Sequence, residues 1–195
     1  SVQPLLVGGN PFDTTCIYNL IHFLERAHGV HFVMGGTGAL VDGLSKLMVE
    51  EGINVRLEET VTGLNTKNSK ITNVELEHGE AFNCDLVISN ADPAHLYANL
   101  LPHADIDVSA KIKTKHAKKS MGLFVLFFGT NTQYSDVEHH TIWLGPRYKS
   151  LLHDIFNRKV LTDDFSLYLH RPTATDQSFA PEGCDSFYVL CPVPN

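Results

Sequence analysis

Three kinds of residue stand at spacings that invite a chemical reading: glycines, histidines and paired acids. The turn Gly35-Gly36-Thr37-Gly38 runs straight into an apolar-periodic segment, Ala39 to Met48. Backbone N–H groups at a helix N-terminus hold anions, so such a turn can cradle a phosphate. The full dinucleotide fingerprint needs a further glycine where Val41 stands, and the P-loop lysine is absent. A turn that only brings a helix close to its neighbour needs the same glycines, so both readings stay open. The histidines, 11 in all, raise the question of a metal. His139 and His140 are adjacent, and neighbours on a strand point to opposite faces. The others stand at no ligand spacing from a cysteine or carboxylate, so no metal is expected. Asp163-Asp164 offers two carboxylates, but directly before a strand such a pair forms a cap or turn. No Gly-x-Ser-x-Gly elbow is present. The catalytic residue is therefore unknown from spacing. By spacing alone the chain offers a nucleotide-fold fragment and no acid–base machinery.

The elements that must position these residues centre on Phe32–Pro93. Leu40, Val41, Leu44, Leu47 and Met48 share one helical face, and Gly52 stands where the helix should stop. Asn54–Leu57, Val61–Thr66 and Ile71–Glu77 are rich in β-branched residues and alternate in polarity, which predicts strands. A short strand Ala81–Cys84 and the apolar run Leu86–Ile88 follow, closing at Ser89-Asn90-Ala91-Asp92-Pro93. Helix, strand, meander and buried strand in that order are the second half of a nucleotide-binding domain, without the first half. Before it, Asn10-Pro11 opens a helix through Ile17, Leu20, Ile21 and Leu24 to Gly29. After it come a short helix Ala94–Leu101 capped by Asp92 and a lysine-rich helix near Asp105–Lys115. Met121–Phe128 is apolar on both faces, which predicts a central strand covered on both sides. His140–Leu144, an amphipathic helix Tyr148–Phe156, and strands Phe165–Leu169 and Phe187–Leu190 complete the chain. The flanks thus differ in texture from the middle and suggest one domain interrupted by another.

Composition bounds the rest. At 43% hydrophobic and 19% charged the chain is ordinary for a globular protein, and no apolar run approaches a membrane span. The net charge of −7 argues against nucleic acid as a partner. Lys111, Lys113, Lys115, Lys118 and Lys119 crowd together, either as a solvated helix face or as a contact for anionic lipid headgroups. Cys16, Cys84, Cys184 and Cys191 lack metal-type spacing and are expected as reduced, mostly core residues of a cytoplasmic protein. The start at Ser1 shows no signal peptide, and the chain is expected to be cut from something longer.

Long segments of the chain resemble the bacterial-type phytoene desaturases, carotenoid desaturases of the flavin amine-oxidase-like superfamily. They include Gly8–Thr15, Ile17–His22, Leu24–Arg26, Gly35–Val41, Ser89–Asp92, His139–Thr141, Gly145–Tyr148, Leu167–Thr173, Thr175–Gly183 and Val189–Pro194. The resemblance implies a central fragment lacking both ends of the family's chain. It implies an α/β (α+β mixed) fold: a partial FAD-binding Rossmann-like domain, 32–93, inserted between two parts, 1–31 and 94–195, of a mixed-sheet-plus-helices substrate domain. FAD is the implied cofactor, with Val61 at the adenine-contacting position and Ser89, Asn90 and Ala91 near the flavin. Phe124, Phe127 and Phe128 would wall a channel for phytoene, although plain core explains such aromatics equally. The implied reaction is stepwise dehydrogenation of C–C bonds towards lycopene-type polyenes, at a cytoplasmic, peripherally membrane-associated enzyme. A related carotenoid oxidase, isomerase or ketolase, or a non-catalytic isoprenoid-lipid-binding fragment, is the alternative.

Overall fold

The computed structural model describes residues 3–101 and 108–195 and divides into two compact units. One comprises Ser1–Leu47 with Lys119–Asn195; the other is Met48–Lys118. The mixed α/β class holds, and both sheets are antiparallel in every described pairing.

The first unit opens with helix α1 (Gln3–Val7) and a turn at Asn10. The Asn10 side chain accepts the Phe12 N–H at 3.0 Å, and its carbonyl accepts the N–H groups of Asp13 and Thr14. The residue expected to cap a helix is thereby spent on a turn, and the helix starts later. Thr15 caps a single 3₁₀ turn, after which α2 (Asn19–His28) runs to Gly29, whose φ of 79° ends it. Val30–Val33 joins no ladder. Helix α3 (Gly36–Glu50) occupies the expected apolar-periodic segment. At its end the Ile53 N–H bonds the Met48 carbonyl around Gly52, whose φ is 74°.

The sheet of this unit has the order β4-β7-β6-β5, formed by β4 (Gly122–Thr130), β5 (His140–Trp143), β6 (Leu167–His170) and β7 (Asp185–Val193). Strand β4 was expected in the centre, covered on both sides. It lies instead at the edge, and Phe124 and Phe127 are 59% and 74% exposed. Two apolar faces show that a strand suits cover on both sides but do not supply the cover. Core burial comes from helix α6 (Tyr148–His153) and the π-turn after it, where Leu151, Leu152 and Ile155 are buried and Leu151 and Ile155 cluster with Met121.

The polar centre of this unit is Asp185, 1% exposed. It accepts the Thr173 hydroxyl at 2.5 Å and the Tyr134 N–H at 2.7 Å, and it pairs with Arg171 at 3.2 Å. Burial alone would raise its pKa, but these hydrogen bonds and the guanidinium outweigh burial and hold it below the ordinary value. Arg171 in turn donates to the carbonyls of Tyr134 and Val137, which fixes the loop leading into β5.

The second unit holds a meander, β1 (Val61–Lys67), β2 (Lys70–Leu76) and β3 (Ala81–Asn83), in that order. Arg56 bridges Glu59 and Glu80 and stacks 4.5 Å from the Phe82 ring, tying the approach segment to the meander. Helix α4 (Pro93–His95) starts at Asp92, whose carboxylate accepts the Ala94 and His95 N–H groups, and continues as a π-turn to Leu100. Helix α5 (Val108–Lys115) carries Lys111, Lys113 and Lys115, with Lys118 and Lys119 beyond its end, while the stretch 102–107 expected to begin it lies outside the described residues. Two expected strands are not formed. Asn54–Leu57 and Leu86–Ile88 pair with nothing described, and Leu86 and Ile88 are 76% and 90% exposed. A strand needs a neighbour for its N–H and C=O groups, and apolar patterning alone provides none. Among the cysteines only Cys191 is buried, against the expectation of mostly core positions.

Candidate functional site

Cross-strand register builds the site. His140 on β5 pairs with His170 on β6, His170 pairs with Tyr188 on β7, and Tyr188 pairs with Phe127 on β4. Paired residues share a face, so one row of aromatic rings crosses all four strands. Tyr168, two residues before His170, joins the same face. The rings touch along the row: His170 stacks on Tyr188 at 4.5 Å, and Phe127 lies 5.5 Å from Tyr188.

The polar atoms of the row are joined through one hydroxyl. Tyr168 Oη lies 2.6 Å from His140 Nδ1 and 3.1 Å from His170 Nδ1. His139 precedes β5 rather than lying in it, so strand alternation does not separate it from His140. Their rings stand 4.4 Å apart, contrary to the expected divergence. His139 Nδ1 meets the Thr175 hydroxyl at 2.6 Å, while its Nε2 is buried without a hydrogen bond. Burial holds the His170 pKa down at about 4, with His139 and His140 adding to the shift. His139 is also lowered, first by burial and then by His140. Burial raises the Tyr168 phenol, helped by Tyr188.

Three imidazoles invite a metal reading. Ligand atoms of His139, His140 and His170 lie within 4.8 Å of one another, the one such group among the described residues. Zn–N bonds of about 2.1 Å set tetrahedral ligand atoms about 3.4 Å apart. The Tyr168 hydroxyl engages the Nδ1 atoms of His140 and His170, joining the two in a hydrogen-bonded chain.

Beside this row lies a cavity of about 710 Å³. Its wall is half aromatic, with Phe32, Phe127, Phe128, Phe179, Phe187 and Tyr188, and is completed by His170, Pro172, Gly36, Gly129, Thr37 and Ser186. A space so lined suits a flat ring or a polyene and offers few groups to a charged ligand. The glycine turn enters this wall as a packing device. Gly35 and Gly36 have φ of 80° and 75°, and a Cβ on Gly36 would stand 2.7 Å from Phe179. The Gly35 N–H donates to Asp176 Oδ2 at 2.8 Å, so a carboxylate from this chain serves as the anion at the start of α3. The Asp163-Asp164 pair acts structurally too, with Asp164 bound to Arg147 at 2.6 Å.

The sequence-expected site residues fall into separate places. Phe127 and Phe128 line the cavity, but Phe124 does not. Val61 begins β1 beside a register shift between Val61 and Gly63. Ser89, Asn90 and Ala91 form an exposed turn in which the Ala91 N–H donates to the Ser89 hydroxyl at 3.2 Å. Tyr168, His170, Asp176 and Tyr188 were missed as site residues. His140, His170 and Tyr168 lie in motif segments visible in the sequence, but only strand register places them side by side.

Comparison with known proteins gives the same direction along the whole chain. A lycopene-forming phytoene desaturase of Pantoea ananas is 51% identical over 197 residues, covering 100% of this chain and 40% of its own length. A neurosporene-forming phytoene desaturase of Rhodobacter capsulatus is 42% identical over 199 residues, again across 100% of this chain and 38% of its own. A 4,4'-diapophytoene desaturase of Methylomonas is 32% identical over 193 residues, covering 99% and 38%. The chain therefore spans about 40% of the length of the curated relatives it matches. A family model described as flavin containing amine oxidoreductase matches residues 5–166. That match covers most of the chain, which belongs to the flavin containing amine oxidoreductase family.

Proposed function

We propose that this chain is the central part of an FAD-dependent phytoene desaturase, which dehydrogenates C–C bonds of phytoene stepwise towards lycopene-type polyenes. The observation that carries the reading is the 51% identity with a lycopene-forming desaturase across the entire chain. The aromatic cavity supports it, because a long polyene presents only apolar surface to its binding site.

The residues present fit part of a flavin. The cavity wall offers aromatic faces for stacking. Val61, Ser89, Asn90 and Ala91 would contact the cofactor, with 32–93 as the FAD-binding segment between two substrate-domain parts, 1–31 and 94–195. A phosphate is not expected at the Gly35–Gly38 turn, where Asp176 already stands. When bound, the flavin accepts the hydrogen and electron pair removed from the substrate. Phe127 and Phe128, with Phe124 further along the strand, would align the polyene and exclude water.

No helix among the described residues is long and apolar enough to cross a membrane. Peripheral attachment from the cytoplasmic side would suit a lipid-dissolved substrate. Lys113, Lys115, Lys118 and Lys119 are exposed, and each lysine near an anionic surface contributes about 1 kcal/mol.

The test uses the full-length protein purified with its flavin and mixed anaerobically with phytoene in vesicles. Bleaching of the flavin absorbance is expected. A flavin that stays oxidised in the presence of phytoene-loaded vesicles would overturn the assignment.

A further inference from the structure

We propose that His170, Tyr168 and His140 form a proton exit path, carrying the proton lost in dehydrogenation from the cavity wall to the surface. This rests on the desaturase reading above. Two C–H bonds break in each dehydrogenation. One leaves with its electron pair, which an oxidised flavin takes up; the other leaves as a proton, and its bonding pair becomes the new C=C bond. An apolar cavity holds a free proton poorly, so the proton needs a chain of groups leading out.

The geometry supplies that chain with a direction. His170 lines the cavity and is 8% exposed. His140 is exposed and lines a different hollow, which it shares with Glu25 and Tyr168. Between them stands a hydroxyl with a single proton. An O–H donor makes shorter contacts than an N–H donor, so the 2.6 Å contact is assigned as Tyr168 O–H donating to His140 Nδ1. The 3.1 Å contact is then His170 Nδ1–H donating to the Tyr168 oxygen. These roles leave Nε2 of His170 as a lone pair and Nε2 of His140 as an N–H.

A proton arriving at His170 Nε2 releases the Nδ1 proton to Tyr168. Tyr168 passes its own proton to His140 Nδ1, and the His140 Nε2 proton goes to water. Each group gains one proton and loses one; both imidazoles are left in the other tautomer, and proton exchange at their nitrogens resets the chain before the next turnover. The low basicity of His170 keeps the proton from lodging at the buried end.

The full-length enzyme tests the path in anaerobic single turnovers with phytoene, read by flavin absorbance. Tyr168→Phe keeps the ring and removes the hydroxyl; it is expected to slow turnover on the order of 100-fold with unchanged flavin content. His140→Ala is expected to slow similarly and to recover when imidazole is added, because its site is open to solvent. Tyr168→Phe should not recover, since its gap is internal. A ¹⁵N-histidine NMR spectrum should show His170 as the Nδ1–H tautomer and His140 as the Nε2–H tautomer. The opposite tautomers, a Tyr168→Phe variant as fast as wild type, or a slow His140→Ala variant indifferent to imidazole would each overturn the path. A wild-type enzyme inert towards phytoene would overturn the desaturase reading instead, leaving the tautomer spectra to decide the hydrogen-bonded chain.

Discussion

Asp176 Oδ2 accepts the Gly35 N–H at 2.8 Å across 141 residues of chain, fastening the loop after β6 to the start of α3. Asp176 Oδ1 also receives the Ser178 N–H at 3.0 Å. The Ser178 hydrogen bonds first, then the Gly35 amide, hold the carboxyl below its ordinary pKa. A lowered carboxylate pKa stabilises the fold above the unfolded value of about 3.9 and ceases to do so as pH falls through the folded value. Asp176→Ala should therefore lower the denaturant midpoint at pH 7, and the gap from wild type should shrink below about pH 4. Equal midpoints at neutral pH would contradict the contact.

Gly36 is required at its position for two independent reasons, its φ of 75° and the Phe179 ring 2.7 Å from where a Cβ would stand. Gly36→Ala should cost about 1–3 kcal/mol of folding stability. Adding Phe179→Leu should recover part of that loss, leaving the φ component. A double-mutant cycle with no coupling would show that the ring is not the obstacle.

The buried Asp185 carboxylate is held by Thr173, the Tyr134 amide and Arg171. Asp185→Ala leaves the Arg171 guanidinium, 6% exposed, without its counter-charge, and should destabilise by about 3–5 kcal/mol. Thr173→Val removes a single hydrogen bond to the same carboxylate and should cost less, about 1–3 kcal/mol. Chemical denaturation of both variants checks the order; a larger loss for Thr173→Val would contradict it.

His170, with its pKa pushed down to about 4, gives the fold a pH dependence. An unfolded histidine takes up its proton near pH 6.5, so between those values the unfolded state binds more protons than the folded one. The His170 contribution is present in full above pH 6.5 and is lost as pH falls towards about 4. Unfolding free energy measured across that window should decline more steeply for wild type than for His170→Gln. Parallel curves would show that His170 does not titrate as described.

Local signals carried much of this fold. The apolar spacing of Leu40, Val41, Leu44 and Leu47 marks α3, and Gly52 stops it where its backbone turns left-handed. Asp92 caps the next helix as its side-chain chemistry suggests. Asn10 was misread because an asparagine can serve a turn as readily as a helix. The strands expected at Asn54–Leu57 and Leu86–Ile88 fail for a different reason: patterning states an inclination to be covered, while pairing requires a partner. The candidate site was legible only in pieces. Phe127 and Phe128 could be picked out as aromatics, but nothing local says that His140, His170 and Tyr188 form one row, since β5, β6 and β7 meet through long-range register.

The most direct test of the central claim is the pigment made by the full-length protein. The gene is expressed in cells that accumulate phytoene, and the absorption spectrum of an extract is recorded. Structured, red-shifted visible bands are expected, their position reporting the double bonds added. A colourless extract from cells holding abundant, flavin-loaded protein would contradict the desaturase account.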